Sequence, residues 1–99
     1  MQRVEFKLRL PSDFDESLWA SKGYVRDVEL SVGDQVYRLT FYDPIRLAQD
    51  AAAETESGDF FFEQNLVVVA AVERDILYAA ARWLVDTGQV HGLVAETAR

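Results

Sequence analysis

The hydrophobic positions at the start of the chain follow a period of two. Apolar and charged residues alternate from residue 3 to residue 10, which is typical of a strand with one buried face and one solvated face. Pro11 ends the pattern because proline has no N–H to donate to a neighbouring strand. We therefore predict a strand over residues 3–10. Its inward-facing residues are Val4, Phe6, Leu8 and Leu10.

A short helical turn is predicted next, because Ser12 is a residue type that caps helices. Asp15 and Glu16 follow it near the positive end of the helix dipole, where acidic side chains are stabilising. Gly23 is predicted to close this segment.

The clearest unit is a β-hairpin made of residues 24–32 and 35–42. Gly33 favours a two-residue turn because glycine adopts positive φ without strain. The turn places Val32 opposite Gln35, and the other pairs follow by counting outward. Apolar partners then share one face, and an opposite-charge pair shares the other. The predicted pairs are Leu30 with Tyr37, Val28 with Leu39, Arg26 with Phe41, Glu29 with Arg38 and Asp27 with Thr40.

A first long helix is predicted from Asp43, as N-cap, to about Ser57, with Gly58 as its stop. Pro44 suits the first helical position, where the missing N–H has no consequence. The apolar stripe is rich in alanine, so the helix is expected to lie close to a sheet. The stripe consists of Ile45, Leu47, Ala48, Ala51 and Ala52.

Two further apolar runs, residues 60–62 and 66–69, have strand composition. The polar residues 63–65 between them are either a hairpin loop or part of one bent strand. The run of valines lacks alternation, which predicts a strand covered on both faces.

A second long helix is predicted over residues 73–87, with Gly88 at its end. Its apolar face is wider than a surface helix of a small domain needs. Either it lies deep between other elements or part of it meets another chain, which makes it a candidate homodimer surface. The tail, residues 89–99, either adds an edge strand at 90–94 or frays.

These elements predict one domain over residues 1–99 of the α+β class. We expect a two-layer sandwich: a mainly antiparallel sheet of four to five strands with the two main helices on one face. The chain has no cysteine, which excludes disulfides and thiolate chemistry and is compatible with a reducing compartment.

The charge balance narrows the choice of partners. Seventeen acidic residues against ten basic ones give a formal charge of −7, which repels nucleic acid and anionic membranes and permits a basic protein partner. No apolar run is long enough for a secretory signal or a membrane span. A cytoplasmic location is therefore expected.

No set of residues forms a catalytic, cofactor or metal motif, so none of these sites is predicted. The glycines do not form a phosphate loop, and one histidine is too few for a zinc site. The rival hypothesis is a small enzyme or ligand-binding domain with a pocket where sheet and helices meet. It would use His91, with a carboxylate such as Glu96, or a buried carboxylate as a general base, or it would bind a ligand through an aromatic lining. The aromatic candidates are Tyr37, Phe41, Tyr42 and residues 60–62.

Two acidic segments are candidate surfaces for a basic partner. In the first, acidic residues surround two aromatic anchors, an arrangement suited to protein recognition. The second extends over the first long helix and the following turn and is either a partner surface or a divalent-cation site, although its spacing is not that of a calcium loop. We predict a non-enzymatic interaction protein of the inhibitor, immunity or adaptor kind that binds through the first segment. The predicted partner-binding residues are Asp13, Phe14, Asp15, Glu16 and Trp19; the second segment holds Asp50, Glu54, Glu56, Asp59 and Glu63.

Overall fold

Within residues 4–96, which a computed structural model of the chain describes, the backbone forms one mixed four-stranded sheet and three α-helices. The strands lie in the order β1-β2-β3-β4; the first three are antiparallel, and β4 runs parallel to β3. The predicted α+β class is confirmed. The elements are β1 (Lys7–Arg9), α1 (Glu16–Lys22), β2 (Tyr24–Val32), β3 (Gln35–Tyr42), α2 (Pro44–Glu56), β4 (Leu66–Val68), α3 (Arg74–Asp86) and a 3₁₀ turn, Gln89–Gly92.

The β2–β3 hairpin has the predicted turn and, near that turn, the predicted register. Gly33 has a φ of 58°, and Val32 lies opposite Gln35. The predicted pairs Leu30–Tyr37, Val28–Leu39 and Glu29–Arg38 are all present.

A β-bulge changes the register at the far end of the hairpin. Val25, not Arg26, lies opposite Phe41, and Asp27 has a φ of 62°. The predicted pairs Arg26–Phe41 and Asp27–Thr40 are therefore wrong. Burying an unpaired guanidinium in the core would cost several kcal/mol. One extra residue in β2 instead turns Arg26 outward and places Val25 in the core.

The core lies between one face of the sheet and α3. Leu77, Ala81 and Leu84 of α3 are buried against it. Phe14 and Trp19 pack against the edge of the same cluster. The buried sheet residues in this core are Leu8, Val25, Val28, Leu30, Tyr37, Leu39 and Phe41.

Helix α1 begins later than predicted. Asp15, not Ser12, is its N-cap and accepts from the Leu18 N–H at 3.3 Å. Gly23 ends the helix as predicted, with a φ of 80°.

Helix α2 has the predicted ends, but its apolar stripe is not packed as expected. Asp43 caps it by accepting from the Arg46 N–H at 2.7 Å. No residue of α2 is fully buried, and Ile45 is 72% exposed. Ala48 and Ala52 are exposed too, so the expectation that this stripe lies against the sheet is wrong for these three residues. The inward side of the helix instead carries polar groups that bind the sheet.

The segment after α2 forms less strand than predicted. Residues 60–62 have no strand partner, and β4 covers only 66–68. Val68 is 48% exposed whereas Val69 is buried, so the prediction of a strand covered on both faces is wrong. The valine run alternates between core and solvent.

The C-terminal segment forms a 3₁₀ turn where an edge strand at 90–94 was one of the alternatives. Ala95 then makes a single antiparallel bridge to Tyr37. Asn65 holds this segment: its side chain donates to the Val94 carbonyl and accepts from the Val94 N–H, both at 2.8 Å. The predicted first strand included residue 3, and the predicted tail included residues 97–99. These positions lie outside the described residues.

Candidate functional site

Four aromatic rings form a continuous row that begins at the edge of the core and extends over the side of β3 opposite the core. Trp19 of α1 meets Tyr24 edge-on at 6.0 Å between ring centroids, and Tyr24 stacks on Tyr42 at 5.6 Å. Phe61 meets Tyr42 edge-on at 6.0 Å. Tyr24 and Tyr42 are direct cross-strand partners because of the bulge. The row therefore connects α1 with the segment that follows α2.

Three cationic side chains flank this row. The guanidinium carbons of Arg26 and Arg46 lie 5.0 and 4.6 Å from the centre of the Tyr24 ring, and Lys22 Nζ lies 4.5 Å from the centre of the Trp19 ring. These are cation–π distances. The two guanidinium groups are paired with carboxylates, Arg26 with Glu63 and Arg46 with Asp50, so the centre of the row lies in an ionic network.

The hydroxyl of Tyr42 is the centre of that network. It donates to Asp50 Oδ2 at 2.9 Å and accepts from Arg26 at 3.1 Å. Arg46 Nε donates to Asp50 Oδ1 at 2.9 Å, and its Nη1 donates to the Lys22 carbonyl at 2.9 Å. This network fastens α2 to the sheet by polar contacts where the sequence predicted apolar ones.

The same contacts set the protonation states. Burial, together with the hydrogen bond to Asp50, raises the pKa of Tyr42 to about 12. Burial alone would raise the pKa of Asp50, but the hydrogen bonds from Arg46 and Tyr42 outweigh it and lower that pKa. Tyr42 is therefore a neutral donor and Asp50 an anionic acceptor at neutral pH, which suits a structural role.

Residues 59–63, which we call the aromatic segment, cross this face with alternating side chains. Phe61 packs on Tyr42, and Glu63 accepts two hydrogen bonds from Arg26, at 2.8 and 3.1 Å. Phe62 lies between these two anchors and is 82% exposed. Phe60 lies just before Phe61 and is 91% exposed. Two anchored residues thus hold two phenylalanines toward solvent.

The aromatic segment is bordered by acidic side chains without cationic partners. Glu54, Glu56 and Asp59 are exposed, and none of them forms an ion pair within residues 4–96. Asp50 and Glu63 of the second predicted acidic segment are instead paired with Arg46 and Arg26. The exposed phenylalanines therefore follow, along the chain, a run of exposed carboxylates without cationic partners within residues 4–96.

Much of the predicted partner-binding set makes internal contacts. Asp15 caps α1, and hydrogen bonds from Ser17 and the Leu18 N–H lower its pKa. Glu16 accepts from the backbone N–H of Arg74 at 2.6 Å.

The aromatic members of that set are partly buried. Phe14 lies under the guanidinium of Arg74, at 5.2 Å from its ring centre, and Trp19 Nε1 donates to the Asp13 carbonyl at 3.4 Å. The structure does bring these five residues together at one end of the aromatic row. They remain a predicted contact surface.

The helix predicted as a homodimer surface, residues 73–87, turns most of its large apolar residues to the core. Trp83 is the clearest exception at 57% exposure, and Tyr78 is 43% exposed but donates to the Leu8 carbonyl at 3.1 Å. His91 is exposed, and its proposed partner Glu96 is bound to Arg38 at 2.7 Å. The two groups of the predicted general base are therefore not paired with each other.

Two open depressions lie on the described part of the chain. One of about 410 Å³ is lined mainly by Arg9, Pro11, Asp27 and Glu29, and one of about 390 Å³ by Phe6 and its neighbours. Neither contains His91, and the aromatic residues proposed as a pocket lining are divided between the core face and the opposite face. Every buried polar side-chain atom within the described part of the chain has a hydrogen-bond partner.

Searches of the described residues found neither a metal-binding group nor a membrane-spanning helix. No three of their His, Cys, Asp and Glu side chains are grouped so as to hold an ion. None of the helices in residues 4–96 has the length and apolar character to cross a bilayer.

Residues 59–63 were predicted only as parts of a pocket lining and of the second acidic segment; the exposure of Phe60 and Phe62 was missed because the composition of residues 60–62 resembles that of a buried strand. The available signal was in β2, where the apolar positions Val25 and Val28 are three apart although strand positions otherwise alternate. That spacing indicates a bulge. A bulge at Arg26 turns its guanidinium to the face of the sheet opposite the core, where the carboxylate of Glu63 can pair with it.

Comparison with known proteins gives no relative from which a function is transferred. The chain matches no known protein family, no curated protein sequence and no solved structure.

Proposed function

We propose that this chain is a non-enzymatic interaction module that binds a basic protein partner through the aromatic segment. The observation that carries the proposal is the exposure of Phe60 and Phe62 on a segment anchored by Phe61 and Glu63. Exposed aromatic side chains cost solvation free energy, and in interfaces they are frequent sources of binding energy. Because Phe61 and Glu63 hold the backbone on both sides of Phe62, and Phe61 holds it next to Phe60, binding orders little additional chain.

The charge around the two rings favours a basic partner. Glu54 and Glu56 lie in the last turn of α2 and Asp59 directly precedes Phe60; none has a cationic partner within residues 4–96, and the whole chain carries −7. A basic surface would gain complementary contacts at the rim and a faster encounter, while an acidic surface would be repelled. A cytoplasmic setting belongs to the same proposal, and a chain without cysteine is compatible with it.

The residues first predicted for binding supply a second surface at the other end of the aromatic row. Asp13, Phe14, Asp15, Glu16 and Trp19 are proposed as an extension of the same interface. Self-association through residues 73–87 is a separate proposal, supported by exposed Trp83.

Site-specific photocrosslinking in the native host tests the proposal. A photoreactive phenylalanine analogue at the position of Phe62 is expected to capture one basic protein. The same analogue at the position of Trp83, which is also exposed, is the matched control and should not capture it. The captured protein is then purified and its binding to the unmodified chain measured. Failure of the pure proteins to bind, or an acidic partner, would contradict the proposal.

The salt dependence of that complex gives a second test. Affinity should fall as salt rises, because attraction between exposed charges is screened at a Debye length of about 10 Å in 0.1 M salt. An affinity independent of salt would exclude the acidic rim as a contributor. Capture of the same protein from an analogue at the position of Trp19, but not Phe62, would move the interface to the first predicted surface.

A further inference from the structure

The two outer strands of the sheet differ in how their edges are protected. On β1, Lys7 and Arg9 carry exposed charges, and charged residues discourage the addition of another strand. Side chains of α3 also use acceptors along this part of the chain: Tyr78 donates to the Leu8 carbonyl at 3.1 Å and Arg82 to the Val4 carbonyl at 2.9 Å. The β1 edge is therefore obstructed.

The β4 edge has no such protection. Asn65 accepts from the Thr40 N–H at 3.2 Å, and the Val69 N–H donates to the Tyr42 carbonyl at 2.9 Å. Residues two apart in a strand direct their backbone groups to the same side, so Leu66 and Val68 direct theirs away from β3. Neither residue has another backbone partner among residues 4–96.

The chemistry of this edge is apolar. No charged residue occurs from position 66 to position 72. Val68 is 48% exposed and lies on the face of its partner Tyr42. An uncharged strand edge with exposed backbone donors and acceptors is a template for pairing with another strand.

We propose that a second copy of this chain pairs with β4 in an antiparallel arrangement centred on Val67. In that register, Leu66 lies opposite Val68 of the partner subunit, and Val68 lies opposite Leu66 of the partner subunit. Each of these pairs exchanges both N–H···O=C bonds, so both outward donors and both outward acceptors of each copy are satisfied. The two sheets become one continuous eight-stranded sheet.

The register of the proposed pairing is fixed because only Leu66 and Val68 of β4 direct backbone N–H and C=O groups outward. A shift by one residue would bring Val67, whose backbone groups face β3, into the bonding position. A shift by two would leave one outward residue of each copy unpaired within β4. The two-fold axis also places the same face of both sheets on one side, so Leu66 and Val68 form apolar cross-strand pairs.

The interface is small, which sets the expected affinity. A pairing of three-residue strands falls below the roughly 1,200 Å² typical of a stable interface. We therefore expect a weak dimer with a dissociation constant of about 0.1 to 1 mM. At about 0.15 M salt, the repulsion between two chains of net charge −7 is largely screened beyond about 8 Å.

Sedimentation equilibrium from about 10 μM to about 2 mM tests the proposal across that range of dissociation constants. The wild-type mass should rise toward that of a dimer. Val68→Pro removes only an outward N–H, which the β3–β4 ladder does not use, and should stay monomeric. Val68→Thr keeps the N–H and the branched shape and should dimerise as the wild type does.

Two more variants test whether dimerisation depends on the β4 edge or on another surface. Val68→Lys, at an exposed side chain, should also be monomeric and serves if the proline variant does not fold. Trp83→Lys tests the rival surface on α3 and should leave the dimer intact. A wild-type monomer throughout the range, a dimer formed equally by folded Val68→Pro, or a monomer in Trp83→Lys overturns the proposal. The proposal does not depend on Phe60 or Phe62, whose replacement should leave the dimer unchanged.

Discussion

Glu63 and Arg26, which are far apart in the sequence, form a hydrogen-bonded ion pair at 2.8 Å across the second face of the sheet. The pair exists because the β-bulge turns Arg26 away from the core and because the aromatic segment crosses above it. With the contact between Phe61 and Tyr42, it fixes the backbone on both sides of the exposed Phe62. The proposed binding surface thus originates in one extra residue in β2.

Replacing Arg26 should loosen the aromatic segment more than it destabilises the fold. We expect Arg26→Ala to cost about 1 kcal/mol, because a partly exposed ion pair contributes little net free energy. Backbone ¹⁵N order parameters at residues 60–63 should fall, while those in β2 and β3 stay high. Arg26→Lys should restore little, since an ammonium does not reproduce the geometry of the guanidinium. Arg9→Ala, which removes the exposed pair with Glu29, is the control. Unchanged order parameters at 60–63 in Arg26→Ala would show that the pair does not hold the segment.

The Tyr42 hydroxyl should make stability sensitive to alkaline pH. Its pKa is about 12 in the folded chain, above the ordinary value of 10. The neutral form is therefore favoured by folding: this contribution is complete below about pH 10 and is lost as pH rises toward 12. Ultraviolet titration should detect a late-ionising tyrosine that is absent in Tyr42→Phe. Urea denaturation should show the difference in stability between the two proteins, about 1 kcal/mol at pH 8, shrinking above pH 10. A difference that is constant with pH would contradict this assignment.

Asn65 should hold the C-terminal segment through both its side chain and its backbone. Its amide bonds both backbone groups of Val94 and the Arg38 carbonyl, and its φ is 55°. Asn65→Gly keeps the backbone conformation and loses the side-chain bonds, with an expected cost of about 2 kcal/mol. Asn65→Ala should cost about 1 kcal/mol more, because alanine resists positive φ. Denaturant unfolding gives both values. Equal stability of the alanine and glycine variants would remove the backbone part of this explanation.

Gly23 should tolerate substitution far less well than Gly58. A Cβ at Gly23 would lie 2.7 Å from the Arg46 Cβ and 2.8 Å from Asp43 Oδ2, and φ is already 80°. Gly58 has a φ of 90° but no atom within 4 Å of such a Cβ. Gly58→Ala should therefore cost only about 1 kcal/mol of backbone strain, and Gly23→Ala about 3 kcal/mol. Thermal unfolding of the two variants checks the difference. Similar losses in both would mean that the close approach of α2 to Gly23 is not maintained in solution.

The sequence predicted an element well where the residues that define it are within a few positions of one another in the chain. The Asp43–Pro44 start and the Gly33 turn depend on backbone geometry within a few residues, and both are confirmed. Residues 60–62 were misread because their composition is that of a strand, whereas a strand also needs a partner backbone. The bulge was not predicted because hydrophobic periodicity does not compare two costs in free energy. Burying Arg26 costs more than disrupting the hydrogen-bonded ladder at one position.

The candidate site was harder to predict than the fold because its contacts join distant parts of the chain. Alternation predicts which residues share a face, but it does not predict what crosses that face. The pairings of Tyr42 with Asp50 and of Arg26 with Glu63 depend on how α2 and the aromatic segment return to the sheet. Phe60 and Phe62 were therefore predicted as strand residues, whereas the structure places them outside any strand with exposed side chains.

The affinity of a double variant, Phe60→Ser with Phe62→Ser, for the partner captured at position 62 tests the central claim most directly. Isothermal titration calorimetry on purified, folded proteins should show a loss of at least about 30-fold, since interface aromatics of this kind contribute about 2 kcal/mol or more. Trp83→Ser, at an exposed aromatic residue of α3, should bind as tightly as the wild type. Wild-type affinity in the folded double variant would contradict the account.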